Sequence, residues 1–198
     1  MADAVELVIG LGNPGQRYAG TRHNVGFEVV EALRRRRGAG DWERRQDYET
    51  AVIVEQPAVV LARPLRFMNR SGSVTAALLS ELGLDSSRLL VVVDDVDLPL
   101  GALRMRPSGG PGTHNGLRDI CDLIGCGFPR LRVGVRGEGP VGDLAEYVLA
   151  PFEAGETERA RSMVLRACDA AELAIREGIE RAMNRFNRRQ FLDESADG

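Results

Sequence analysis

The chain contains no lysine, and all 26 of its basic residues are arginines. Its 29 acidic residues bring the net charge to −3, which does not mark the protein as a general nucleic-acid binder. Arginine is nevertheless well suited to phosphate groups, because its planar guanidinium donates two parallel hydrogen bonds. The composition is therefore compatible with a local arginine-lined surface on a slightly acidic protein.

Cysteine and long apolar runs are also scarce. We expect the three cysteines, Cys121, Cys126 and Cys168, to be reduced thiols, and two histidines are too few to complete a zinc site with them. No apolar run approaches the roughly 18 residues that span a bilayer. The short apolar run near the N-terminus is interrupted by Glu6 and then by glycines, which is not typical of a signal peptide. These features predict a cytoplasmic protein.

Strand and helix patterns alternate along the chain. Short apolar runs predict strands at residues 6–9 and 89–93, the second one central in a sheet, and an apolar stripe from Ala160 to Ala174 predicts a long helix ending at Gly178. The alternation favours an α/β fold with a mixed, twisted β-sheet, helices on both faces and a helical C-terminal part. We expect one domain over residues 1–190 and a flexible tail over residues 191–198.

The sequence Gly10-Leu11-Gly12-Asn13-Pro14-Gly15 has the spacing of a dinucleotide-binding loop directly after a strand. That function requires a helix to begin at the third glycine, so that its N-terminus holds the pyrophosphate. Residues 16–23 contain another glycine and no apolar period, and Pro14 removes an amide donor from the loop. The context therefore argues against a nicotinamide enzyme, although saturable NAD binding would revive this alternative.

The scarcity of histidine draws attention to His23, which precedes a predicted helix. Histidine titrates near neutral pH and can take a proton from water during a reaction. Asp94 ends the central apolar run, where its carboxylate could orient the His23 ring. An alternative is a magnesium site formed by Asp94, Asp95 and Asp97. Against it, Asp95 is expected to face away from Asp94 if the strand continues, and Asp97 to lie in a turn.

Three asparagines lie near the ends of successive predicted elements: Asn13 after the first strand, Asn69 before a helix, and Asn115 after a glycine-rich loop. Backbone amides at the helix start beside His114 could receive an anion or a carbonyl oxygen. With His23 and Asp94, these asparagines suggest a polar cleft for a substrate rich in amide groups.

Together, these motifs resemble those of the bacterial peptidyl-tRNA hydrolase family, and their order and spacing match from about Leu7 to Leu149. The segments that carry the resemblance are Gly10-Leu11-Gly12-Asn13-Pro14-Gly15, Tyr18 with Thr21-Arg22-His23-Asn24, Phe67-Met68-Asn69, Asp94 with Asp97-Leu98-Pro99, and His114-Asn115-Gly116-Leu117. One departure is the loop before His114, where Pro111 and Thr113 stand although relatives more often have another glycine before the histidine.

The resemblance implies hydrolysis of the ester between a peptide and the 3′ ribose of tRNA, without metal or cofactor. It assigns His23 as the general base, Asp94 as the residue that holds its imidazole, and Asn13 as the residue that distinguishes peptidyl from free aminoacyl substrates. The remaining roles it implies are positioning of substrate and water by Asn69 and Asn115, a pocket for the tRNA end lined by Tyr18 and Phe67, and contacts to tRNA phosphates from Arg104, Arg106 and Arg132.

A different class, an RNA-binding protein on the same fold, remains an alternative. The presence of His23, Asp94 and the three asparagines argues against it, because binding alone does not require a base. No unpaired apolar stripe is evident in the sequence, so we expect a monomer.

Overall fold

A computed structural model describes residues 4–187 of the chain, which form a seven-stranded mixed sheet in the order β2-β3-β4-β1-β5-β7-β6. The strands are β1 Leu7–Gly10, β2 Glu43–Arg44, β3 Tyr48–Ile53, β4 Val59–Pro64, β5 Leu89–Pro99, β6 Leu103–Arg106 and β7 Arg130–Arg136. The four central strands, β4, β1, β5 and β7, are parallel, and β2, β3 and β6 run antiparallel to their neighbours at the two edges.

Helices cover both faces of this sheet, as the sequence predicts. They are α1 Val25–Arg36, α2 Ser71–Leu82, α3 Asn115–Ile124, α4 Leu144–Leu149, α5 Thr157–Glu177 and α6 Ile179–Phe186. The apolar cores on the two faces are separate: one contains residues of α1, α5 and α6, and the other contains residues of α2 and α3. The central strand shows why both form, since Leu90 and Val92 enter the first core while Val91 and Val93 enter the second.

The start of α1 is held against the end of β1 by two facing glycines. A Cβ on Gly10 would lie 2.1 Å from the carbonyl oxygen of Gly26, and a Cβ on Gly26 would lie 2.5 Å from the backbone oxygen of Val92. Only glycine permits this backbone approach. It brings the turn that precedes α1, with His23, to the carboxyl end of β1.

Two linked predictions are wrong: the end of the central strand and the turn at Asp97. The central strand does not stop at residue 93 but continues as β5 to Pro99, so Asp97 lies in a strand and not in a turn. The prediction for residues 191–198 lies outside the described residues. Within residues 4–187, no helix is long and apolar enough to cross a membrane.

Candidate active site

The candidate residues converge where the central parallel strands end. Asn13 follows β1, Asn69 follows β4, and Asp94 lies in β5 beside them. Because parallel strands carry their carboxyl ends to one edge of a sheet, residues distant in sequence meet there, and ligands of open α/β sheets bind at this edge. His23 and His114 reach the same place from the turns that precede α1 and α3.

One carboxylate oxygen joins the two histidines of the chain. Oδ1 of Asp94 lies 2.8 Å from Nδ1 of His23 and 3.0 Å from Nε2 of His114, and all three residues are buried. The ring centroids of the two histidines are 5.1 Å apart. The sequence-predicted partnership of His23 and Asp94 therefore has the geometry of a hydrogen bond.

The hydrogen bonds fix which ring nitrogens carry protons. The backbone N–H of Leu117 donates to Nδ1 of His114 at 3.1 Å, so this nitrogen is an acceptor and Nε2 of His114 donates to Asp94. Burial raises the pKa of the Asp94 carboxyl, but its interactions with His114 and His23 outweigh this effect and hold that pKa well below its usual range. Asp94 is thus ionised at neutral pH and accepts from Nδ1–H of His23, which leaves Nε2 of His23 with a free lone pair.

Asn13 is held equally firmly. Its backbone N–H donates to Oδ1 of Asn24 at 2.8 Å, and Nδ2 of Asn24 donates to its carbonyl at 3.0 Å. The Oδ1 of Asn13 accepts from the backbone N–H of Met68 at 2.8 Å. Its side-chain NH₂ group has no partner among residues 4–187 and borders an open cavity, so it is a fixed donor that faces the cleft.

The cleft consists of two adjoining cavities that share His23 and Asn115. One, of about 180 Å³, contains Asp94, His114 and Arg132, and the other, of about 310 Å³, is lined by Asn13, Phe67, Met68 and Asn69. Asn69 and Asn115 are exposed. A short helix, α4, closes the remaining side with Ala145, Val148 and Leu149. The three predicted asparagines thus border the same opening as His23.

A larger cavity, of about 480 Å³, lies between α5 and α6. Its walls carry charged side chains that bind other parts of the protein, such as Asp169 and Glu172 to Arg36. Among the described residues its lining contains neither histidine nor asparagine, the residue types that the sequence predicts for the site.

The two predicted aromatic residues lie together at the mouth of the cleft. The rings of Tyr18 and Phe67 are 6.4 Å apart and nearly perpendicular, and Phe67 is 51% exposed. The guanidinium of Arg17 lies 4.6 Å from the Tyr18 ring. An exposed aromatic face beside a cation is suited to stack on a base of single-stranded RNA.

The structure also tests the two alternative sites that the sequence suggests, a dinucleotide-binding loop and a magnesium site. After Gly15 the chain forms two short 3₁₀ turns, Gln16–Tyr18 and Arg22–Asn24, and α1 begins only at Val25, so no α-helix starts at the third glycine as a dinucleotide-binding loop requires. Asp95 borders the same cavity as Asp94, but its carboxylate pairs with Arg132 at 3.2 Å. Within the described residues, the acidic cluster therefore does not converge; His23, Asp94 and His114 form the one group that does.

Comparison with known proteins indicates the family of the chain. A family model described as peptidyl-tRNA hydrolase matches residues 7–194. A peptidyl-tRNA hydrolase of Rubrobacter xylanophilus is 47% identical over 91% of this chain and 99% of its own length, and one of Chloroflexus aggregans is 44% identical over 91% and 98%. The crystal structure of peptidyl-tRNA hydrolase from Acinetobacter baumannii superimposes with a TM-score of 0.87 at 31% identity, covering 94% of this chain and 96% of that one.

The chain belongs to the peptidyl-tRNA hydrolase family. The family resemblance inferred from the motifs is thereby confirmed, and so is the fold class.

Arginines of this family member line the sheet edge next to the cleft. Arg104 of β6 is the cross-strand partner of Arg132 of β7, and Arg106 is the partner of Arg130, so all four side chains share one face. Arg104 and Arg106 are exposed. The side chain of Arg132 is less available to a phosphate than the sequence suggests. Besides pairing with Asp95, it donates to the carbonyls of Gly110 and Pro111, and only 15% of it is exposed.

Sequence reasoning missed the role of three residues. The sequence draws attention to His114 only as the start of a helix, whereas its side chain binds Asp94. The motif that contains Asn24 does not indicate that its side chain binds Asn13. Their contacts join segments distant in the sequence, so no local pattern reveals them. The third is Arg22, a buried arginine directly before His23. A charged residue at the border of an apolar helix is ordinarily read as exposed, and only the fold shows it enclosed.

Proposed function

We propose that the protein hydrolyses the ester bond between a peptide, or an N-blocked aminoacyl group, and the 3′ ribose of tRNA, and so recycles tRNA from prematurely released peptidyl-tRNA. The observation that carries this proposal is the buried hydrogen-bonded set of His23, Asp94 and His114 at the floor of an asparagine-lined cleft. Membership of the peptidyl-tRNA hydrolase family supports the same substrate.

His23 acts as the general base. Its free Nε2 takes a proton from water while the water oxygen attacks the ester carbonyl, and the charged imidazole that forms is stabilised by Asp94. When the tetrahedral intermediate breaks down, the imidazolium returns the proton to the departing ribose oxygen. The products are the peptide acid and tRNA with a free hydroxyl. His114 keeps Asp94 in place by its own hydrogen bond.

The asparagines orient the reactants. The NH₂ groups of Asn69 and Asn115, both exposed beside His23, position the attacking water and stabilise negative charge on the ester oxygen. Asn13 offers only donors to the cleft, because its oxygen is occupied by Met68. It therefore binds the carbonyl of a peptide or blocked amino group and disfavours the ammonium group of a free aminoacyl ester.

The tRNA part is held at the rim. Tyr18 and Phe67 receive the unpaired 3′ end by stacking, and Arg104, Arg106 and, after leaving Asp95, Arg132 bind its phosphates. The chain acts as a monomer with residues 1–190 as a single domain. Because peptidyl-tRNA arises during translation, we expect the protein to act in the cytoplasm.

The direct test is release of the blocked amino acid from N-acetylaminoacyl-tRNA by purified protein, with and without EDTA. We expect turnover that chelation leaves unchanged, and much slower cleavage of free aminoacyl-tRNA. Binding without hydrolysis would instead favour an RNA-binding protein. Activity lost only with EDTA would contradict the metal-independent mechanism and point to the cluster of His23, Asp94 and His114 as metal ligands.

A further inference from the structure

Arg22 is a buried charged residue that the reaction just described does not use. It occupies the 3₁₀ turn Arg22–Asn24, one residue before the base, and only 2% of its surface is exposed. Burying a guanidinium is costly unless its donors are bonded, so its partners should indicate why it is there.

Those partners all belong to the segment that follows α4. The Nη1 of Arg22 donates to the carbonyl of Pro151 and, at 3.5 Å, to that of Ala150. Its Nη2 donates to Oε2 of Glu156 at 2.5 Å. The backbone adds a second connection, because the N–H of Arg22 donates to the carbonyl of Ala150 at 3.1 Å and Thr21 forms a β-bridge with Pro151.

Two aromatic rings also pack against the guanidinium of Arg22. The guanidinium carbon lies 4.3 Å from the ring centroid of Tyr147 and 5.1 Å from that of Phe152. The Tyr147 hydroxyl in turn accepts from the backbone N–H of Gly137 at 2.8 Å and donates to the carbonyl of Val135 at 3.2 Å. Arg22 thus connects the turn of the base, the middle of α4 and the end of β7.

This connection matters because α4 forms one wall of the cleft. Ala145, Val148 and Leu149 line the cavity that contains His23, whereas Tyr147 packs against Arg22. The distance between that wall and Nε2 of His23 therefore depends on the contacts of Arg22. A substrate ester held between them must have its carbonyl within about 3 to 3.5 Å of the attacking oxygen.

We infer that Arg22 is a positioning residue for the hydrolysis, fixing the α4 wall relative to His23. The inference rests on the proposed function. Lysine cannot replace it, since an ammonium lacks the planar fork that bonds two carbonyls and a carboxylate while stacking on two rings. The Nε–H of Arg22 has no acceptor among residues 4–187 although it is buried, which is compatible with a side chain placed for the site at some cost in stability.

The test compares Arg22→Lys with Arg37→Lys. Arg37 is a matched control because it also bonds two partners, Glu55 and Glu172, but lies at the other end of α1 from the cleft. Hydrolysis of N-acetylaminoacyl-tRNA is measured as a function of pH, at a temperature where circular dichroism shows all proteins folded. We expect Arg22→Lys to lower kcat roughly tenfold or more, as a misplaced substrate does. Its pH profile should keep the midpoint of the wild type, and Arg37→Lys should retain normal kcat.

Each other outcome overturns the inference. Normal kcat in Arg22→Lys, or an equal loss in both variants, would show a structural role alone. A shifted pH midpoint would show that Arg22 acts on the protonation of His23. If Arg22→Lys does not fold, Tyr147→Phe, which removes the hydroxyl bonds to β7 and Gly137, is expected to lower kcat in the same way, and normal kcat there would overturn it. An inactive wild-type protein would instead reject the proposed function.

Discussion

Single hydrogen bonds decide the chemistry of this site. Because Nδ1 of His114 accepts the backbone N–H of Leu117, the ring proton of His114 lies on Nε2, which donates to Asp94. Because Asp94 is ionised, it accepts from His23, and the proton of that ring lies on Nδ1. The same logic applies to Asn13, whose oxygen is committed to Met68. Each side chain presents one defined group to the cleft because its other polar atom is already bonded.

The assignment of Asn13 can be tested with Asn13→Asp. This change keeps an oxygen for the Met68 N–H but replaces the donor that faces the cleft with an acceptor. We expect kcat/KM for N-acetylaminoacyl-tRNA to fall by tenfold or more, since a lost hydrogen bond becomes a repulsion worth at least about 1.4 kcal/mol. The ratio to free aminoacyl-tRNA, measured in the same assay, should fall as well. An unchanged ratio would contradict the role of Asn13 in discrimination.

At the scale of elements, α1 is the support of the site, and its outer face is fixed by a polar cluster around Glu31. Trp42 donates to the Glu31 carboxylate at 2.6 Å, and Arg34 and Arg35 bind it from the same helix. Arg63 of β4 lies over the Trp42 ring at 4.0 Å. The cluster therefore ties α1 to the antiparallel edge of the sheet.

Burial raises the pKa of Glu31, but its hydrogen bonds to Arg34, Trp42 and Arg35 outweigh it and lower that pKa from 4.5 to about 2. Since the folded pKa is depressed, the carboxylate stabilises the fold above about pH 4.5, and this contribution is lost as the pH falls through 2. Allowing for solvent screening, we expect Glu31→Gln to lower the free energy of unfolding at pH 7 by about 1 kcal/mol.

Urea unfolding measured between pH 7 and pH 3 checks this expectation. The deficit of Glu31→Gln should shrink as the pH falls below 5, whereas a variant of the exposed Glu43, Glu43→Gln, should match the wild type throughout. A deficit of Glu31→Gln that does not change with pH would show that the carboxylate charge is not the cause.

Elements with strong local patterns were predictable, and those held by tertiary contacts were not. The end of the long helix α5 before Gly178 follows from its apolar periodicity and from the glycine itself. The six-residue α4 has no fully buried residue, so it leaves no apolar stripe. The continuation of β5 past Asp94 was hidden because buried carboxylates replace apolar residues where the strand enters the site.

At the scale of the whole molecule, charge is unevenly distributed. The net charge is −3, yet Arg104, Arg106 and Arg132 share one face at the edge of the sheet next to the cleft. Such a local surface can direct tRNA to the site although the total charge opposes binding. The family resemblance points to these three arginines, but the pairing of Arg132 with Asp95 could not be predicted, because it requires the neighbouring strand.

The salt dependence of binding to deacylated tRNA tests this surface. If Arg104 contacts a phosphate, Arg104→Ala should reduce the slope of log K against log salt by about 0.7 to 0.9. Arg181→Ala, an equal charge change on the exposed surface of α6, should leave the slope unaltered. Equal slopes in both variants would mean that Arg104 lies outside the tRNA-binding surface.

The central claim, that His23 is the base of an ester hydrolysis, is tested most directly by single-turnover cleavage of N-acetylaminoacyl-tRNA by His23→Ala. The account predicts a rate lower by roughly 10² to 10⁴, the usual contribution of a general base, with tRNA affinity close to that of the wild type. Hydrolysis at a near-normal rate by the folded variant would contradict it.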